Sequence, residues 1–223
     1  MKVLSLVHGP RVRAELFGDV VRERGHELDE VSITDGTAPE PGRYDAVLVF
    51  GGRMNVDEED GHPWLVPENA LLQDLLARGT PTFGVCLGVQ LLAKAAGAWV
   101  GPATEPERGW FEVRLTDAGA ADPVLGVLPR RFCSFQMHEY TYALPAEAVD
   151  LAGSDTNPQA FRLGESAWGV QFHPEVTASQ LREWPDAGGF AAETRERIGE
   201  WNTLGRRLCD AFLDAATRSA RRS

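Results

Sequence analysis

The chain has 223 residues, with 22 Lys plus Arg against 33 Asp plus Glu, a formal net charge of −11 and 43% hydrophobic residues. This balance suits a globular protein with a sizeable core and excludes wholesale disorder. It also argues against a dedicated nucleic-acid binder, because phosphates repel an acidic surface. The longest apolar run near the start, residues 3–7, is too short for a signal peptide or a membrane span. We therefore expect a cytoplasmic protein with no membrane or nucleic-acid partner.

The first half of the sequence alternates strand and helix patterns. Short apolar runs predict buried strands, and leucine and valine stripes at helical spacing predict helices. This alternation predicts a parallel sheet with helices on both faces, in which ligands bind at the carboxyl ends of the strands. The predicted strands cover residues 3–7, 28–33, 46–50 and 82–85, and the predicted helices cover 12–21, 67–76 and 87–96, with a loop at 34–44.

The second half shows short strand patterns and ends in a helical stripe. The stripe predicts a C-terminal helix over about 198–216, with a frayed tail after 217. No linker or internal repeat interrupts the sequence, so residues 1–223 are expected to form a single domain. The predicted strands cover residues 111–115, 132–135, 149–152, 160–163 and 169–172.

The three cysteines, Cys86, Cys133 and Cys209, are odd in number and far apart, without a C-x-x-C pair. A disulfide framework is therefore not expected. None of the five histidines stands at ligand spacing from a cysteine or a second histidine, so the sequence predicts no metal site. Cys133 and Cys209 are expected to be buried apolar residues of the core.

A G-x-C-x-G sequence, GVCLG at 84–88, lies between a predicted strand and a predicted helix. Such a turn exposes its central residue, and small flanking residues relieve the crowding. The amino terminus of the following helix points at the Cys86 thiol and favours the thiolate, which is the nucleophilic form. Cys86 is thus a candidate nucleophile. The alternative is a buried structural cysteine that stands between two glycines.

A thiolate nucleophile requires a proton shuttle, and the segment GVQFHPE at 169–175 offers one. His173 follows the end of a predicted strand and is the candidate general base and general acid. Glu175 can hold the imidazole in the right tautomer, as the third member of a triad does. Taken alone, such a segment is more often a loop histidine beside an exposed glutamate.

Together, GVCLGVQLLA at 84–93 and GVQFHPE at 169–175 resemble the class I, or triad, glutamine amidotransferases. The glycine turn at 51–52 extends the resemblance, and HPWL at 62–65 and NPQAF at 157–161 are similar to the stand-alone members of that family. The resemblance implies an α/β fold of the flavodoxin-like, doubly wound type. Its mostly parallel sheet is flanked by helices and carries a smaller antiparallel strand element.

The resemblance also implies a mechanism and its residues. The cysteine attacks the glutamine side-chain amide and forms a γ-glutamyl thioester, the histidine transfers protons, and water then releases glutamate. No metal or organic cofactor is implied. The implied residues are Cys86, His173 and Glu175 for the triad, the backbone amides of Gly52 and Leu87 for the oxyanion hole, and Gln90 for contact with the substrate.

The sequence departs from the family pattern at two places. The glycine turn continues with Arg53 and Met54, where relatives often have proline and a small residue. His138 is followed by Glu139 and Tyr140, where relatives commonly have Gly-Asp. That second segment normally cradles the α-amino and α-carboxylate groups of glutamine. A glutamate there either repels the α-carboxylate or points to water, so the identity of the substrate is left open.

Three functions remain open at this point. The first is a stand-alone glutamine amidotransferase that passes ammonia to a separate acceptor synthase subunit. The second keeps the thioester but hydrolyses or transfers a γ-glutamyl group from a peptide or conjugate. The third is a non-catalytic regulatory subunit that retains the fold, which the presence of all three triad residue types argues against.

Three further features have simpler interpretations. His8 ends the first predicted strand and so points toward the site, either in a supporting role or as a satisfied loop histidine. The acidic run at 57–60 is expected to be a solvated loop rather than a docking surface. The apolar stripe of the last helix, which includes Trp201 and Phe212, is expected to pack in the core.

Overall fold

The first half of the chain forms alternating strands and helices. The computed structural model describes residues 1–9 and 12–220, and at residue 220 the backbone alone. Two short 3-10 turns, Ile33–Asp35 and Pro41–Arg43, lie within the predicted loop. The elements are β1 (Lys2–Val7), α1 (Glu15–Glu23), β2 (Glu27–Ser32), β3 (Ala46–Val49), α2 (Leu65–Arg78), β4 (Thr82–Val85) and α3 (Leu87–Ala95).

The second half contributes further strands and a long terminal helix. Its strands follow one another through short connections, and the last strand returns to the centre of the sheet. The elements are β5 (Val100–Leu115), α4 (Asp117–Ala121), β6 (Arg131–Tyr142), β7 (Ala148–Gly153), β8 (Pro158–Leu163), β9 (Ala167–Val170), α5 (Ala178–Glu183) and α6 (Ala191–Ala220).

The strands of the described residues form one nine-stranded sheet in the order β2-β1-β3-β4-β9-β8-β7-β5-β6. The first five strands of this order pair in parallel, and the remaining pairings are antiparallel. The prediction of an α/β fold with a parallel sheet and an antiparallel strand element is confirmed. Because β9 pairs with β4, the segments that follow these two strands leave the sheet at the same edge.

Helices cover both faces of the parallel strands, which are apolar on both sides for that reason. On one face, Ala46 and Leu48 of β3 share a core with residues of α1 and α6. On the other face, Val47 and Val49 share a core with α2 and α3. The stripe of α6 lies in the first core, as the sequence predicted, and includes Trp201, Leu204, Leu208 and Phe212.

Three elements are longer than their sequence patterns indicated. β5 and β6 extend well beyond 111–115 and 132–135, and α6 begins at Ala191 rather than near 198. The first turns of α6 are polar and are held by Thr194, which accepts a hydrogen bond from the Trp110 indole at 3.1 Å. The expected frayed tail after 217 is helical to Ala220, and residues 221–223 lie outside the described residues.

The described α-helices range from 5 to 30 residues in length. Within residues 1–9 and 12–220, none is both long enough and apolar enough to cross a membrane. The longest of them, α6, spans 30 residues and carries charged side chains along its exposed face.

Candidate active site

Cys86 occupies a sharp turn between β4 and α3. Its backbone has φ 54° and ψ −107°, a left-handed conformation that costs a non-glycine residue free energy. A side-chain carbon at Gly84 would lie 2.6 Å from the carbonyl group of Gly88, and one at Gly88 would overlap the carbonyl oxygen of Val49. Both flanking glycines are therefore required by close packing, which explains the G-x-C-x-G spacing.

His173 and Glu175 lie beside Cys86 because the segment after β9 leaves the sheet next to the end of β4. A side-chain carbon at Gly51 would stand 3.2 Å from His173 Cε1 and 3.6 Å from Cys86 Cβ, so both side chains lie against this glycine. His173 Nδ1 is 2.8 Å from Glu175 Oε1. The Cys86 sulfur lies 3.8 Å from the carbonyl oxygen of Met137. The structure thus brings the three sequence-predicted side chains to one place.

Three surrounding elements hold His173 in position. Its backbone N–H donates to the carbonyl oxygen of Phe135 at 3.0 Å, and its own carbonyl accepts from the Trp201 indole at 2.8 Å. Its ring meets the Trp184 ring edge-on, with 5.1 Å between the centroids. The strand β6 and the helix α6 therefore hold the backbone of His173, and the loop after α5 holds its ring.

The charges around His173 favour the imidazolium form. Burial disfavours this charged form, but the Glu175 carboxylate and the Cys86 sulfur outweigh burial and raise the pKa of His173 to about 10. Glu175 is fully buried, and its Oε2 atom finds no hydrogen-bond partner within the described residues. The only interaction found there for this buried carboxylate is its contact with His173, so its negative charge is directed at the imidazole.

Two backbone segments lie on the cavity wall next to Cys86. The first amides of α3, starting with Leu87, have no partner inside their own helix and carry the positive end of its dipole. Gly52 packs against Leu87, since a side-chain carbon there would lie 2.7 Å from Leu87 Cδ2 and 2.5 Å from Met54 Sδ. The two predicted oxyanion-hole residues are therefore adjacent, on the wall of the same cavity as Cys86.

The cavity has a volume of about 530 Å³ and contains the predicted substrate residue Gln90. The Gln90 side-chain nitrogen donates to the carbonyl oxygen of Tyr140 at 3.0 Å and to Gln171 Oε1 at 3.1 Å. Both amide hydrogens are used, which leaves the Gln90 side-chain oxygen to accept a bond from a ligand. Its orientation is thus fixed before any ligand binds.

The two segments that depart from the family pattern lie at the mouth of this cavity. Glu139 forms an ion pair with Arg108, and both side chains are about half exposed, at 60% and 52%. The Tyr140 hydroxyl donates to Asp57 Oδ2 at 3.2 Å. Glu139 therefore does not stand as an isolated negative charge. The mouth thus carries two ion pairs, Arg108–Glu139 and Arg53–Asp186.

Two buried histidine–glutamate pairs flank the cavity, and the sequence did not predict the glutamate partner of either histidine. His8 Nε2 lies 2.8 Å from Glu68 Oε1, and His138 Nε2 lies 2.9 Å from Glu107 Oε2. Burial opposes ionisation of Glu107, but the bond to His138 outweighs it and lowers the pKa of this carboxyl group. The partners are 60 and 31 residues apart, so no local pattern could reveal them.

The weaker sequence candidates have simple places in the structure. In the acidic run at 57–60, Glu58 binds Asn55 and Glu59 forms an ion pair with Lys94, which ties this loop to α3. Cys209 is fully buried, as predicted, whereas Cys133 is half-buried because its strand β6 lies near the edge of the first core. All three cysteines are free thiols.

Known proteins are similar to this chain in sequence and in fold. The family described as "Glutamine amidotransferase class-I" matches residues 15–185. A γ-glutamyl-L-1-hydroxyisopropylamide hydrolase from a Pseudomonas species is 32% identical, over 73% of this chain and 57% of that protein. A glutamine-hydrolysing GMP synthase from Aeropyrum pernix is 34% identical, over 75% of this chain and 31% of that protein. The chain thus spans between about a third and somewhat over half the length of these two relatives.

A solved structure extends the similarity to nearly the whole fold. The glutamine amidotransferase from Thermotoga maritima superposes with a TM-score of 0.86 and 27% identity, covering 95% of this chain and 97% of its own. The family match includes the Cys86 turn and the segment with His173 and Glu175. The chain belongs to the class I glutamine amidotransferase family.

Proposed function

We propose that this protein hydrolyses the γ-amide of glutamine, or of a γ-glutamyl amide, through a thioester on Cys86. The observation that carries the proposal is the placement of a strained, cavity-facing cysteine beside the buried His173–Glu175 pair. A nucleophile, a proton carrier and an orienting carboxylate in that order are the parts that acyl transfer requires. Family membership supports the same reaction class.

In the proposed reaction, the Cys86 thiolate attacks the γ-carbonyl carbon while His173 holds the proton taken from the thiol. The carbonyl oxygen becomes an oxyanion, to which the amides of Gly52 and Leu87 donate; one such donor is worth about 3 kcal/mol of barrier. The carbon–nitrogen bond then breaks, and His173 gives its proton to the departing ammonia or amine. Glu175 orients the imidazole throughout and stabilises its charge.

The second half of the reaction releases the product. His173 takes a proton from a water molecule, and the resulting hydroxide attacks the thioester carbon. The carbon–sulfur bond breaks, Cys86 leaves as a thiolate, and the product has a free γ-carboxylate. The chain's own side chains supply every proton transfer, so the reaction needs no metal or organic cofactor.

The cavity offers complementary groups for a γ-glutamyl substrate. The fixed Gln90 oxygen can accept a bond from the substrate near the reacting amide. At the mouth, Arg108 suits an α-carboxylate and Glu139 suits an α-ammonium group, since each carries the opposite charge. Glu139 belongs to the Glu139-Tyr140 segment, which stands where relatives commonly have Gly-Asp for the α-groups, and Arg108 pairs with it from β5.

With glutamine as substrate, the ammonia passes to a separate acceptor synthase or into solution. The similarity to a glutamine-hydrolysing GMP synthase supports delivery of the ammonia to a synthase acceptor. The reaction belongs in the cytoplasm, where the three free thiols stay reduced.

A second substrate class is favoured by one observation. The cavity volume of about 530 Å³ is in the range that holds drug-sized ligands, and ammonia needs a small fraction of it. A γ-glutamyl amide with a larger amine would fill this space, and the Pseudomonas relative is named for a substrate of that kind. The non-catalytic alternative has no such support, because every predicted triad side chain is in contact distance of its neighbour.

The test is release of glutamate from glutamine and from a panel of γ-glutamyl amides of increasing amine size. Cys86→Ser should abolish glutamate release from every compound. Cys133→Ser removes a thiol that does not line the cavity, so it should leave glutamate release unchanged. Faster turnover of glutamine than of the larger amides supports the amidotransferase, and faster turnover of the larger amides supports the γ-glutamyl hydrolase. No release from any compound, alone or with added acceptor extracts, would overturn the proposal.

A further inference from the structure

His8 is a buried histidine that the proposed reaction does not use. It follows β1, and its side chain and that of Glu68 are both 0% exposed. Its Nδ1 atom lies 2.9 Å from the carbonyl oxygen of Gly51, and its Nε2 atom lies 2.8 Å from Glu68 Oε1. The ring stacks on Trp64, with 5.4 Å between centroids and 21° between the planes. Every edge of the imidazole is therefore held.

The contacts of His8 define its protonation state. A carbonyl oxygen can only accept a hydrogen bond, and so can an ionised carboxylate. The Nδ1 atom must therefore carry hydrogen. With Glu68 ionised, Nε2 carries hydrogen as well, and His8 is an imidazolium paired with the Glu68 carboxylate. Burial disfavours this charge, but Glu68 and the carbonyl oxygens of Gly51 and Phe50 outweigh burial and raise the pKa of His8.

The partner of His8 belongs to the same peptide unit as the predicted oxyanion donor. In a trans peptide, the C=O of Gly51 and the N–H of Gly52 point in opposite directions. The described peptide bonds include no cis form. A bond that holds the Gly51 carbonyl toward His8 consequently directs the Gly52 N–H away from His8. Gly52 lies on the cavity wall against Leu87, whose own amide begins α3.

We infer that His8, charged and fixed by Glu68, is a positioning residue of the oxyanion hole: it holds the Gly51 carbonyl so that the Gly52 amide faces the reacting carbonyl oxygen. This inference rests on the proposed function. Glycine residues rotate more freely than others, so a Gly-Gly peptide has no orientation of its own. The His8–Glu68 pair supplies that orientation before substrate binds.

Two double variants that differ by one methylene separate positioning from packing. In His8→Asn, the side-chain amide nitrogen takes the place of Nδ1 and can still donate to Gly51. In His8→Gln, the amide nitrogen takes the place of Nε2 and loses that bond. Each variant is combined with Glu68→Gln, because a buried carboxylate without its imidazolium would destabilise the fold. His62→Gln, an exposed histidine near the same loop, is the control.

The readout is steady-state hydrolysis of the best γ-glutamyl compound. We expect kcat to fall about 100-fold in the His8→Gln double variant and less than about tenfold in the His8→Asn double variant, with KM within about twofold in both. Alkylation of Cys86 by iodoacetamide needs no oxyanion hole, so its rate should stay within about twofold. Equal losses in the two variants, or losses matched by slower alkylation, would overturn the inference.

A nuclear magnetic resonance measurement on the wild-type protein tests the inference even where the variants do not fold or the wild-type protein is inactive. The chain has two Gly-Gly pairs, at 51–52 and 188–189, so glycine labelled with ¹³C at the carbonyl and ¹⁵N yields two doubly labelled amide signals. Histidine labelled with ¹⁵N reports the ring hydrogens. We expect His8 to carry hydrogen on both nitrogens at neutral pH, with its Nδ1 hydrogen bonded to the labelled Gly51 carbonyl. A His8 ring without hydrogen on Nδ1 would overturn the inference, whatever the activity assay gives.

Discussion

Gly88 and Val49 approach so closely that a side-chain carbon at Gly88 would overlap the Val49 carbonyl oxygen. This contact seats the first turn of α3 against the end of β3, and it places the Cys86 turn between the glycine turn and the segment of His173. The geometry of the turn that carries the proposed nucleophile is thus set by a backbone-to-backbone contact between α3 and β3.

We expect Gly88→Ala to destabilise the fold and to impair the site together. The added methyl group meets backbone atoms that cannot move aside, so the free energy of unfolding should fall by about 1–3 kcal/mol or more. Denaturant unfolding measures this change. Gly199→Ala, in open space on the exposed side of α6, is the matched control and should gain about 0.5–1 kcal/mol from helix propensity. An unchanged stability in Gly88→Ala would contradict the packing account.

His173 should make the stability of the protein depend on pH in a defined window. Its pKa is about 10 in the folded state, whereas an unfolded histidine titrates near ~6.5. Between these values the folded state holds a proton that the unfolded state lacks, so the stabilisation is complete below ~6.5 and is lost as pH rises through about 10. Unfolding curves of wild type and His173→Gln across this range measure it. Parallel curves would show that His173 is not charged in the folded state.

Glu175→Gln should lower kcat strongly. The neutral amide neither stabilises the imidazolium nor fixes the tautomer, and the corresponding change in other triads costs roughly 10⁴ in kcat. Glu196→Gln, on the exposed face of α6, is the control and should retain full activity. A loss of less than about tenfold in Glu175→Gln would remove this residue from the catalytic machinery.

Arg108 and Glu139 should determine affinity rather than the rate of the chemical step. Arg108→Ala is expected to raise KM about tenfold with kcat within about threefold, because it removes a contact to the α-carboxylate that is equal in ground and transition states. Glu139→Ala should do the same through the α-ammonium group. Arg130→Ala, also paired and exposed but distant from the cavity, is the control. An unchanged KM in Arg108→Ala would place the α-groups elsewhere.

The candidate catalytic residues and the parallel sheet could be recognised in the sequence because their patterns are local. Cys86 stands in five contiguous residues, and His173 and Glu175 stand in seven. The alternation of short apolar runs with helical stripes likewise occurs within windows of ten to fifteen residues. The His8–Glu68 pair was not predictable in this way, since Glu68 occupies a helix position where a solvent-facing glutamate is usual and its partner lies 60 residues earlier.

The extent of β5 and α6 was not predictable for a related reason. The first part of β5 carries prolines and charges, and its pairing with β6 includes a register shift between Pro102 and Glu107. The first turns of α6 are likewise polar and bind side chains of the sheet. Neither segment shows an apolar period, because contacts from other elements rather than an amphipathic pattern hold it.

The most direct test of the account is to trap the acyl group on the enzyme. Wild-type protein would be mixed with the best γ-glutamyl compound, quenched in acid during the first turnover and mapped by peptide mass spectrometry. We expect the peptide containing Cys86 to gain the mass of one γ-glutamyl group, and no such gain in Cys86→Ser. Continued turnover by Cys86→Ser, or a γ-glutamyl group on Cys133 or Cys209 instead, would contradict the central claim.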